Sequence, residues 1–265
     1  GKGSALALVG PVGAGKTRLI REVEHLAQRR SIPFRRVRCA RFGSGHALGQ
    51  LVEPLLVGEG GRPEEAVAAL NATPRDRAVL RYLLGLPGRS AERGEVRRAL
   101  VALMRELTAQ GPVILALETE GMERDDLETL LSVIERTRDL PLLFIVALRP
   151  PVPPRLPEIM ETVELGPFPI DALRRMLASL LEVDAIDQEL VDLVDRTCEG
   201  NPLYLEEVTK FLLECGQLTV ENRCARLEEG EVGLPDSLHG LISARIDALD
   251  AASKGVLQLA SVIGE

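Results

Sequence analysis

A glycine-rich segment between an apolar run and an amphipathic helix is the feature that most restricts how this chain can fold. The segment fits the pattern Gly, four residues, Gly, Lys, then Ser or Thr, and reads Gly10-Pro11-Val12-Gly13-Ala14-Gly15-Lys16-Thr17. It follows the apolar run Ala5–Val9, which predicts a buried strand, and it precedes a helix predicted to begin near Lys16. Strand, glycine turn and helix in this order predict an α/β fold whose turn holds phosphate groups.

The residue types of this segment suit a nucleoside triphosphate. Glycines let the backbone curl so that successive N–H groups point at phosphate oxygens, and the N-terminus of the next helix adds its dipole. We expect Lys16, outside the core, to reach the β- and γ-phosphates, and Thr17 to supply a hydroxyl to Mg²⁺. The candidate nucleotide-binding residues are Gly10, Pro11, Val12, Gly13, Ala14, Gly15, Lys16, Thr17 and Arg18.

Further predicted strands alternate with helical patterns along the first 166 residues. Val113–Leu117 and Leu142–Leu148 are apolar runs, Phe34–Cys39 alternates weakly, and Glu161–Leu165 is a candidate fifth strand. Strands that alternate with helices indicate a parallel sheet covered on both faces, here a sheet of five strands.

The pattern changes after Arg149, where five prolines within residues 150–157 predict a stiff connector. From about Phe168 the chain is predicted to be helical, with residues 219–233 as a loop or short hairpin. Three apolar stripes have helical spacing, namely Leu173, Met176, Leu177, Leu180 and Leu181, then Leu205, Val208 and Leu212, then Leu238, Leu241, Ile242, Ile246 and Leu249.

Acidic residues after the third predicted strand are candidates for metal and water chemistry. Glu118 directly follows Val113–Leu117 and can hold Mg²⁺ through water. The base that orients the attacking water usually comes next, but that position is Thr119, so an aspartate there should raise turnover if the strand end matches this geometry. Glu120 is a second candidate base, and it is equally compatible with an acidic helix start, as are Glu123, Asp125 and Asp126.

Arginines at two places have competing interpretations. Arg149 ends the fourth predicted strand, where ligands of open α/β sheets bind, so it can contact the γ-phosphate or be a surface residue before the prolines. The arginines between residues 29 and 41 indicate charged protection of an edge strand more than a nucleic-acid surface. They are Arg29, Arg30, Arg35, Arg36, Arg38 and Arg41.

Composition argues against several classes of protein. The net charge is −8, whereas a nucleic-acid binder usually has a basic footprint, so we expect no direct nucleic-acid partner. The apolar runs are far shorter than the roughly 18 residues of a membrane span, and no N-terminal signal segment is found. Four cysteines without a Cys-x-x-Cys pattern argue against zinc and against a disulfide framework. We expect a cytoplasmic chain with free thiols and, because it begins without Met, a fragment of a longer protein.

Four stretches carry a family resemblance. The phosphate loop of the STAND class of signal-transduction ATPases, a branch near the AAA+ proteins, resembles Val9–Arg18 followed by Leu19-Ile20. The sensor-arginine strand of the same class resembles Leu142–Pro150, which ends Ala-Leu-Arg-Pro. The stretch 198–207 resembles their Gly-x-Pro motif, whose proline lies against the nucleotide base, and it reads Cys198-Glu199-Gly200-Asn201-Pro202-Leu203-Tyr204-Leu205-Glu206-Glu207. The stretch from Leu234 to Gly264 resembles the start of their winged-helix domain.

The resemblance implies a particular organisation. Residues 1–166 would form the P-loop nucleotide-binding domain, 167–233 a helical lid domain, and 234–265 the truncated start of a winged helix. ATP or ADP with Mg²⁺ would bind between the sheet edge and the lid, with Pro202 on the base and Lys16, Glu118, Glu120 and Arg149 in catalytic roles. The most similar modules belong to large LuxR-type and SARP-type regulators and to adenylate cyclases and kinases with C-terminal helical repeats. Flanking helical repeats and nucleotide-dependent self-association are the implied partners.

One segment departs from the family pattern. Relatives carry an acidic pair and then His-Trp-Ala-Asp after the third strand, whereas this chain has Glu118-Thr119-Glu120-Gly121-Met122-Glu123-Arg124. Nucleotide binding is therefore implied more firmly than turnover. We expect an ATP-dependent switch with slow hydrolysis, with a non-hydrolysing pseudo-ATPase scaffold as the alternative and a direct DNA-binding regulator as a weaker one. A GTPase is disfavoured because the sequence has no Asn-Lys-x-Asp segment.

A short corner in the Gly-x-Pro stretch can be analysed from its residue types alone. Gly200 permits a tight turn, Asn201 is placed to cap a helix, and Pro202 is a favoured first helical residue. The three residues predict a rigid corner that opens the helix of Leu205 and Val208.

Overall fold

A computed structural model describes residues 3–39, 47–57, 61–87, 90–120, 122–228 and 238–263. The chain forms two compact units. One comprises Gly1–Gly10 and Lys16–Glu164, and the other comprises Pro11–Gly15 and Leu165–Glu265. The first residues of the predicted winged helix, 234–237, lie outside the described residues, as does Gly121.

The first unit contains a five-stranded sheet in which every pairing is parallel. Its strands are β1 (Ser4–Val9), β2 (Phe34–Arg38), β3 (Val113–Glu118), β4 (Leu142–Leu148) and β5 (Glu161–Glu164). The strand order is β2-β3-β4-β1-β5, which sets the carboxyl ends of β3, β4 and β1 side by side. The predicted α/β fold with a parallel sheet of five strands is confirmed.

Helices cover both faces of this sheet, and alternate residues of a strand accordingly pack into different apolar clusters. Leu115 and Leu117 of β3 belong to the larger cluster, whereas Ile114 and Ala116 pack with Ile20 on the other face. The helices of the unit are α1 (Lys16–Arg29), α2 (Ala47–Leu56), α3 (Pro63–Ala69), α4 (Pro74–Leu83), α5 (Arg93–Leu107), α6 (Arg124–Arg136) and α7 (Leu156–Ile159).

The apolar face of α1 is narrower than its helical spacing predicts, since that spacing places Leu19, Ile20, Val23, Leu26 and Ala27 on one face. Ile20 and Ala27 are buried, but Leu19 and Leu26 are exposed. These two leucines lie one position before the buried residues, so they are rotated about 100° away from the sheet.

The second unit is mainly helical and also holds a small sheet. Its helices are α8 (Ile170–Leu181), α9 (Gln188–Cys198), α10 (Pro202–Glu214), α11 (Leu238–Ala248) and α12 (Ala251–Ile263). β7 (Leu218–Glu221) and β8 (Cys224–Leu227) form the predicted hairpin, and β6 (Ala185–Ile186) pairs with β8 in parallel. The hairpin belongs to this unit. β6 is too short for a periodicity to reveal it.

The first two predicted stripes of this unit lie largely in its core, whereas the residues of the third stripe whose burial the structure describes do not. Leu173, Leu177 and Leu205 are buried, but Ile242 and Ile246 of α11 are exposed. Within the described ranges, none of the helices combines the length and apolar character that crossing a membrane requires.

Candidate functional site

The glycine-rich loop runs from the end of β1 to the first turn of α1, and its glycines have structural reasons. Gly13 has φ of 80° and Gly15 has φ of 94°, both in the left-handed region that favours glycine. A Cβ on Gly13 would also lie 2.4 Å from Asn201 Oδ1, whereas a Cβ on Gly15 would meet open space. Gly10 N donates to Leu148 O at 3.2 Å and so fixes the start of the loop to the end of β4.

Lys16 is the first residue of α1, and its side chain is buried rather than outside the core as expected. Only 4% of the residue is exposed, and Nζ donates to Gly10 O at 2.8 Å. Nζ also lies 3.7 Å from Glu120 Oε1. Burial lowers the pKa of Lys16, and the Glu120 carboxylate only partly opposes that effect. The ammonium group is therefore held beside the loop by a carbonyl and a carboxylate.

Glu120 joins this ammonium group to the arginine that follows β4. Its Oε2 pairs with Arg149 Nη2, while its Oε1 faces Lys16. Because β3 lies beside β4 and β4 beside β1, residues just beyond these strands meet at one edge. The structure thus brings together three of the predicted catalytic residues, in an arrangement where one carboxylate faces two cations.

Glu118, at the end of β3, forms a second polar cluster with Thr17 and two arginines of β2. Thr17 Oγ1 donates to Glu118 Oε2 at 2.5 Å, and Arg36 Nε donates to Oε1 at 2.7 Å. Arg38 Nε lies 3.8 Å from the same Oε1. Burial raises the pKa of the Glu118 carboxyl, but the Thr17 hydrogen bond and the Arg36 guanidinium outweigh it and keep this pKa below its usual value. Glu118 is ionised at neutral pH.

Mg²⁺ is the metal that the sequence implies, and Thr17 and Glu118 fit it. Both supply hard oxygen donors, and their oxygens face each other. Mg²⁺ usually takes one or two protein oxygens, together with substrate phosphates and retained waters. In the described part of the chain, no group of three or more His, Cys, Asp or Glu residues could hold a metal ion. Protein donors alone therefore form no closed cage here, and a phosphate ligand would be needed to complete one.

Thr119, the position at which the sequence predicts that an aspartate would raise turnover, is buried just beyond β3 and its hydroxyl is already engaged. The residue is 6% exposed, and its hydroxyl donates to Ala147 O at 2.9 Å. An aspartate here would set a carboxylate against that carbonyl oxygen and lose the hydrogen bond. The adjacent acids match the interpretation as a helix start, since Glu123 is the N-cap residue of α6 and Asp125 lies in its first turn and pairs with Arg93.

The side chain of Arg18 is not brought into the site. It is exposed and pairs with Glu22 at 2.8 Å along α1. Its backbone N–H, at the start of the helix, is the part of Arg18 that lies next to the glycine-rich segment in the chain.

A cavity of about 480 Å³ lies within the second unit, and its size falls in the range of about 300–1,000 Å³ typical of ligand pockets. Its lining includes Pro11, Ala14, Pro167, Cys198, Pro202 and Tyr204. Burial raises the pKa of Cys198 to about 12, so this thiol is neutral. The predicted base-contacting residue Pro202 and two residues of the glycine-rich loop thus line one cavity.

The corner before α10 has the predicted form. Gly200 has φ of 77°, and a Cβ there would lie 2.5 Å from Pro167 Cβ. Asn201 caps α10, since its Oδ1 accepts hydrogen bonds from Leu203 N and Tyr204 N. Pro202 is the first residue of the helix and is buried.

Two residues near the site had not been assigned to it from the sequence. Arg36 was grouped with edge-strand charges, but its guanidinium contacts Glu118. Asn201 was assigned only a capping role, but its Nδ2 also donates to Val12 O at 3.0 Å. The sequence gives no local signal for the contact of Arg36, because it does not show that β2 and β3 are neighbours. No sequence signal pointed to the bond between Asn201 and Val12.

Comparisons with known proteins return matches of limited extent. The sequence profile of a family described as a domain of unknown function (DUF8739) matches residues 170–226. The uncharacterized protein R02095 of Rhizobium meliloti (strain 1021) is 26% identical over 292 residues, an alignment that covers 100% of this chain and 28% of that protein. The chain therefore spans little more than a quarter of the length of this relative.

Two solved structures are also similar to the chain. A signal transduction ATPase with numerous domains (STAND), which has a tetratricopeptide repeat sensor and comes from Pyrococcus horikoshii, matches with a TM-score of 0.49 and 14% identity. That match covers 100% of this chain and 33% of the other. The ORC1 protein of Aeropyrum pernix, solved in complex with DNA, matches with a TM-score of 0.48 and 16% identity, over 96% of this chain and 65% of that one.

Proposed function

We propose that this chain is an ATP- and Mg²⁺-binding module that acts as a nucleotide-dependent switch with slow hydrolysis. The observation that carries the proposal is the gathering of Lys16, Glu120 and Arg149 beyond the adjacent ends of β1, β3 and β4. Two cations held by one carboxylate form a site that a phosphate chain can occupy by displacing that carboxylate.

The loop supplies the remaining phosphate contacts in this proposal. Gly13 and Gly15 have left-handed backbone angles, which let consecutive N–H groups face an anion. The N-terminus of α1 adds partial positive charge at Lys16 and Thr17. When bound, Mg²⁺ would neutralise phosphate charge. Thr17 and Glu118 would hold it on the protein side.

The cavity lined by Pro11, Ala14 and Pro202 is the proposed site of the base. Prolines and Tyr204 give the cavity flat apolar surfaces, and the neutral Cys198 thiol adds no charge. Because Pro11 and Ala14 belong to the glycine-rich loop, a base in this cavity would have the phosphate-binding backbone beside it.

Slow hydrolysis follows from the position after Glu118. Thr119 occupies the position that usually holds the base, and its hydroxyl is engaged with Ala147 O. The absence of a positioned base typically lowers a rate by about 10²- to 10⁴-fold. A non-hydrolysing scaffold is the second candidate, and the same observation at Thr119 favours it.

We further propose that the chain is a switch in a multidomain signalling or transcription-regulatory protein of the STAND class. This finer assignment rests on the sequence resemblance of the phosphate loop and the Gly-x-Pro stretch. Flanking domains of the longer protein, nucleotide-dependent self-association and a cytoplasmic location belong to the same proposal. A direct DNA-binding role is disfavoured by the net charge of −8.

Calorimetric titration with ATP, ADP and GTP, each with and without Mg²⁺, tests the proposal, and a phosphate-release assay measures turnover. We expect ATP and ADP to bind, Mg²⁺ to tighten ATP binding, and turnover to be slow. Absence of ATP and ADP binding would overturn the proposal. Binding without any measurable phosphate release would select the scaffold.

A further inference from the structure

We propose that Asn201 is a positioning residue for the nucleotide phosphates. Its side-chain amide holds the Val12 carbonyl and thereby orients the Gly13 N–H toward the phosphate chain. Val12, Gly13 and Asn201 belong to the same compact unit. This inference rests on the proposed function, because its ligand is the phosphate chain of that nucleotide.

The Asn201 amide has one orientation that satisfies all of its contacts. Oδ1 accepts from Leu203 N at 3.0 Å and from Tyr204 N at 3.3 Å, while Nδ2 donates to Val12 O at 3.0 Å. A flipped amide would set Nδ2 against two N–H donors and Oδ1 against a carbonyl oxygen. The first turn of α10 therefore fixes the direction in which Nδ2 points.

Fixing the Val12 carbonyl also fixes the next N–H group. The Val12 C=O and the Gly13 N–H belong to one planar trans peptide, so they point in opposite directions. With the carbonyl held by Asn201, the Gly13 N–H is directed away from Asn201 and is available to an anion on the other side of the loop.

Close packing at Gly13 keeps the amide and the loop in direct contact. A Cβ on Gly13 would lie 2.4 Å from Asn201 Oδ1 and 2.7 Å from Leu203 Cβ. The loop at Gly13 is thus packed directly against side chains of the first turn of α10.

Substitutions that preserve the helix cap can separate the positioning role of Asn201 from its capping role. Serine and aspartate cap helices about as well as asparagine. Aspartate has the reach of asparagine but no N–H to donate, and the serine hydroxyl is too short to cap the helix and reach the Val12 carbonyl together. Capping alone would accept either residue, whereas the positioning role requires the amide.

Asn201→Ser and Asn201→Asp therefore form the test, with Thr73→Ala as a matched control. Thr73 caps α4 by accepting from Asp76 N and is not among the residues of the site. Binding of ATP, ADP and adenosine is measured by displacement of a fluorescent ADP analogue, and folding is followed by thermal melting. We expect both Asn201 variants to melt near the wild-type temperature and to bind ATP and ADP about 5- to 10-fold more weakly, the equivalent of one hydrogen bond. Adenosine affinity should not change. Thr73→Ala should melt earlier and bind all three ligands normally.

Each contrary outcome has a distinct meaning. Unchanged ATP and ADP affinity in both Asn201 variants would overturn the inference, because Asn201 would then be only a cap. An equal loss for adenosine would overturn it too, since the defect would lie at the base. Weaker binding in Asn201→Asp alone would also overturn it, because charge repulsion would explain the loss. If the wild-type protein binds neither ATP nor ADP, the proposed function fails, and this inference fails with it.

Discussion

Replacing Glu120 by glutamine is expected to tighten ATP binding. The Glu120 carboxylate pairs with Arg149 and faces Lys16, the two cations assigned to phosphate. A triphosphate must displace this carboxylate before it can occupy both cations. Glutamine has nearly the same shape but no charge, so it removes the competitor and leaves the cations in place.

The size of the effect follows from the exposure of the pairs. The Glu120 and Arg149 side chains are each 41% exposed, and ion pairs this exposed contribute about 0–1 kcal/mol. The distance of 3.7 Å between Lys16 Nζ and Glu120 Oε1 is longer than a hydrogen bond, so the second pair adds less. A total near 1 kcal/mol corresponds to about a fivefold lower Kd for ATP.

Calorimetric titration at low and high salt measures this change, with Glu123→Gln as the control. Glu123 is the N-cap residue of α6 and has the same charge, so its loss controls for the change in net charge. We expect the Glu120→Gln effect to shrink at high salt, since screening weakens exposed pairs. Unchanged or weaker ATP binding in Glu120→Gln would refute the competition argument. Brisk wild-type turnover that this variant loses, with Kd unchanged, would identify Glu120 as the base.

Four further predictions concern single residues. ATP at 100 times its Kd should stabilise the wild-type fold by about 2.7 kcal/mol, which raises the melting temperature by about 5 to 10 °C. Lys16→Ala should lose this rise, and a full shift in this variant would contradict the assignment. Thr119→Asp should lower stability by about 1–3 kcal/mol without raising turnover, because its carboxylate faces the Ala147 carbonyl; faster phosphate release would contradict this. Pro202→Ala should keep a free energy of unfolding within about 1 kcal/mol of wild type, since alanine also suits a helix start, yet it should bind ATP more weakly. Unchanged affinity in titration would mean that the corner is only structural. The pKa of Glu118 is lowered in the folded protein. The stabilisation that its carboxylate provides is therefore present above the unfolded pKa of about 4.3 and is lost as pH falls through the folded pKa. The melting temperature should fall more steeply between pH 7 and pH 3 for wild type than for Glu118→Gln.

The interior strands β1, β3 and β4 could be predicted from the sequence because each is a short apolar run with a turn signal beside it, whereas β2 and β5 carry charged residues. Val113–Glu118 and Leu142–Leu148 are buried on both faces, which is why they lack polar alternation. β6 was missed because two residues carry no period. The narrow apolar face of α1 was also missed, since periodicity alone did not distinguish Leu19 and Leu26 from their buried neighbours.

The site was predictable where its residues are local and not where they are distant. Lys16 and Thr17 lie within one motif, and Glu118 and Arg149 follow strands that the apolar pattern had located. The bond from Asn201 to Val12 joins positions 189 residues apart, and that from Arg36 to Glu118 joins positions 82 apart. No local pattern encodes such contacts, because they depend on how separate elements pack.

Glu118, at the end of β3, has the edge strand β2 on one side and the interior strand β4 on the other. β2 is five residues long and, among the strands that the structure describes, pairs with β3 alone, whereas β3 is paired on both sides. Local unfolding proceeds most readily where backbone hydrogen bonds have solvent on one side, so the amides of β2 should exchange with deuterium before those of β3. Each such opening removes Arg36 and Arg38 from Glu118 while Thr17 stays in place. The charge that Glu118 would offer to the proposed Mg²⁺ should thus vary with the fraying of a strand that supplies none of the proposed metal ligands.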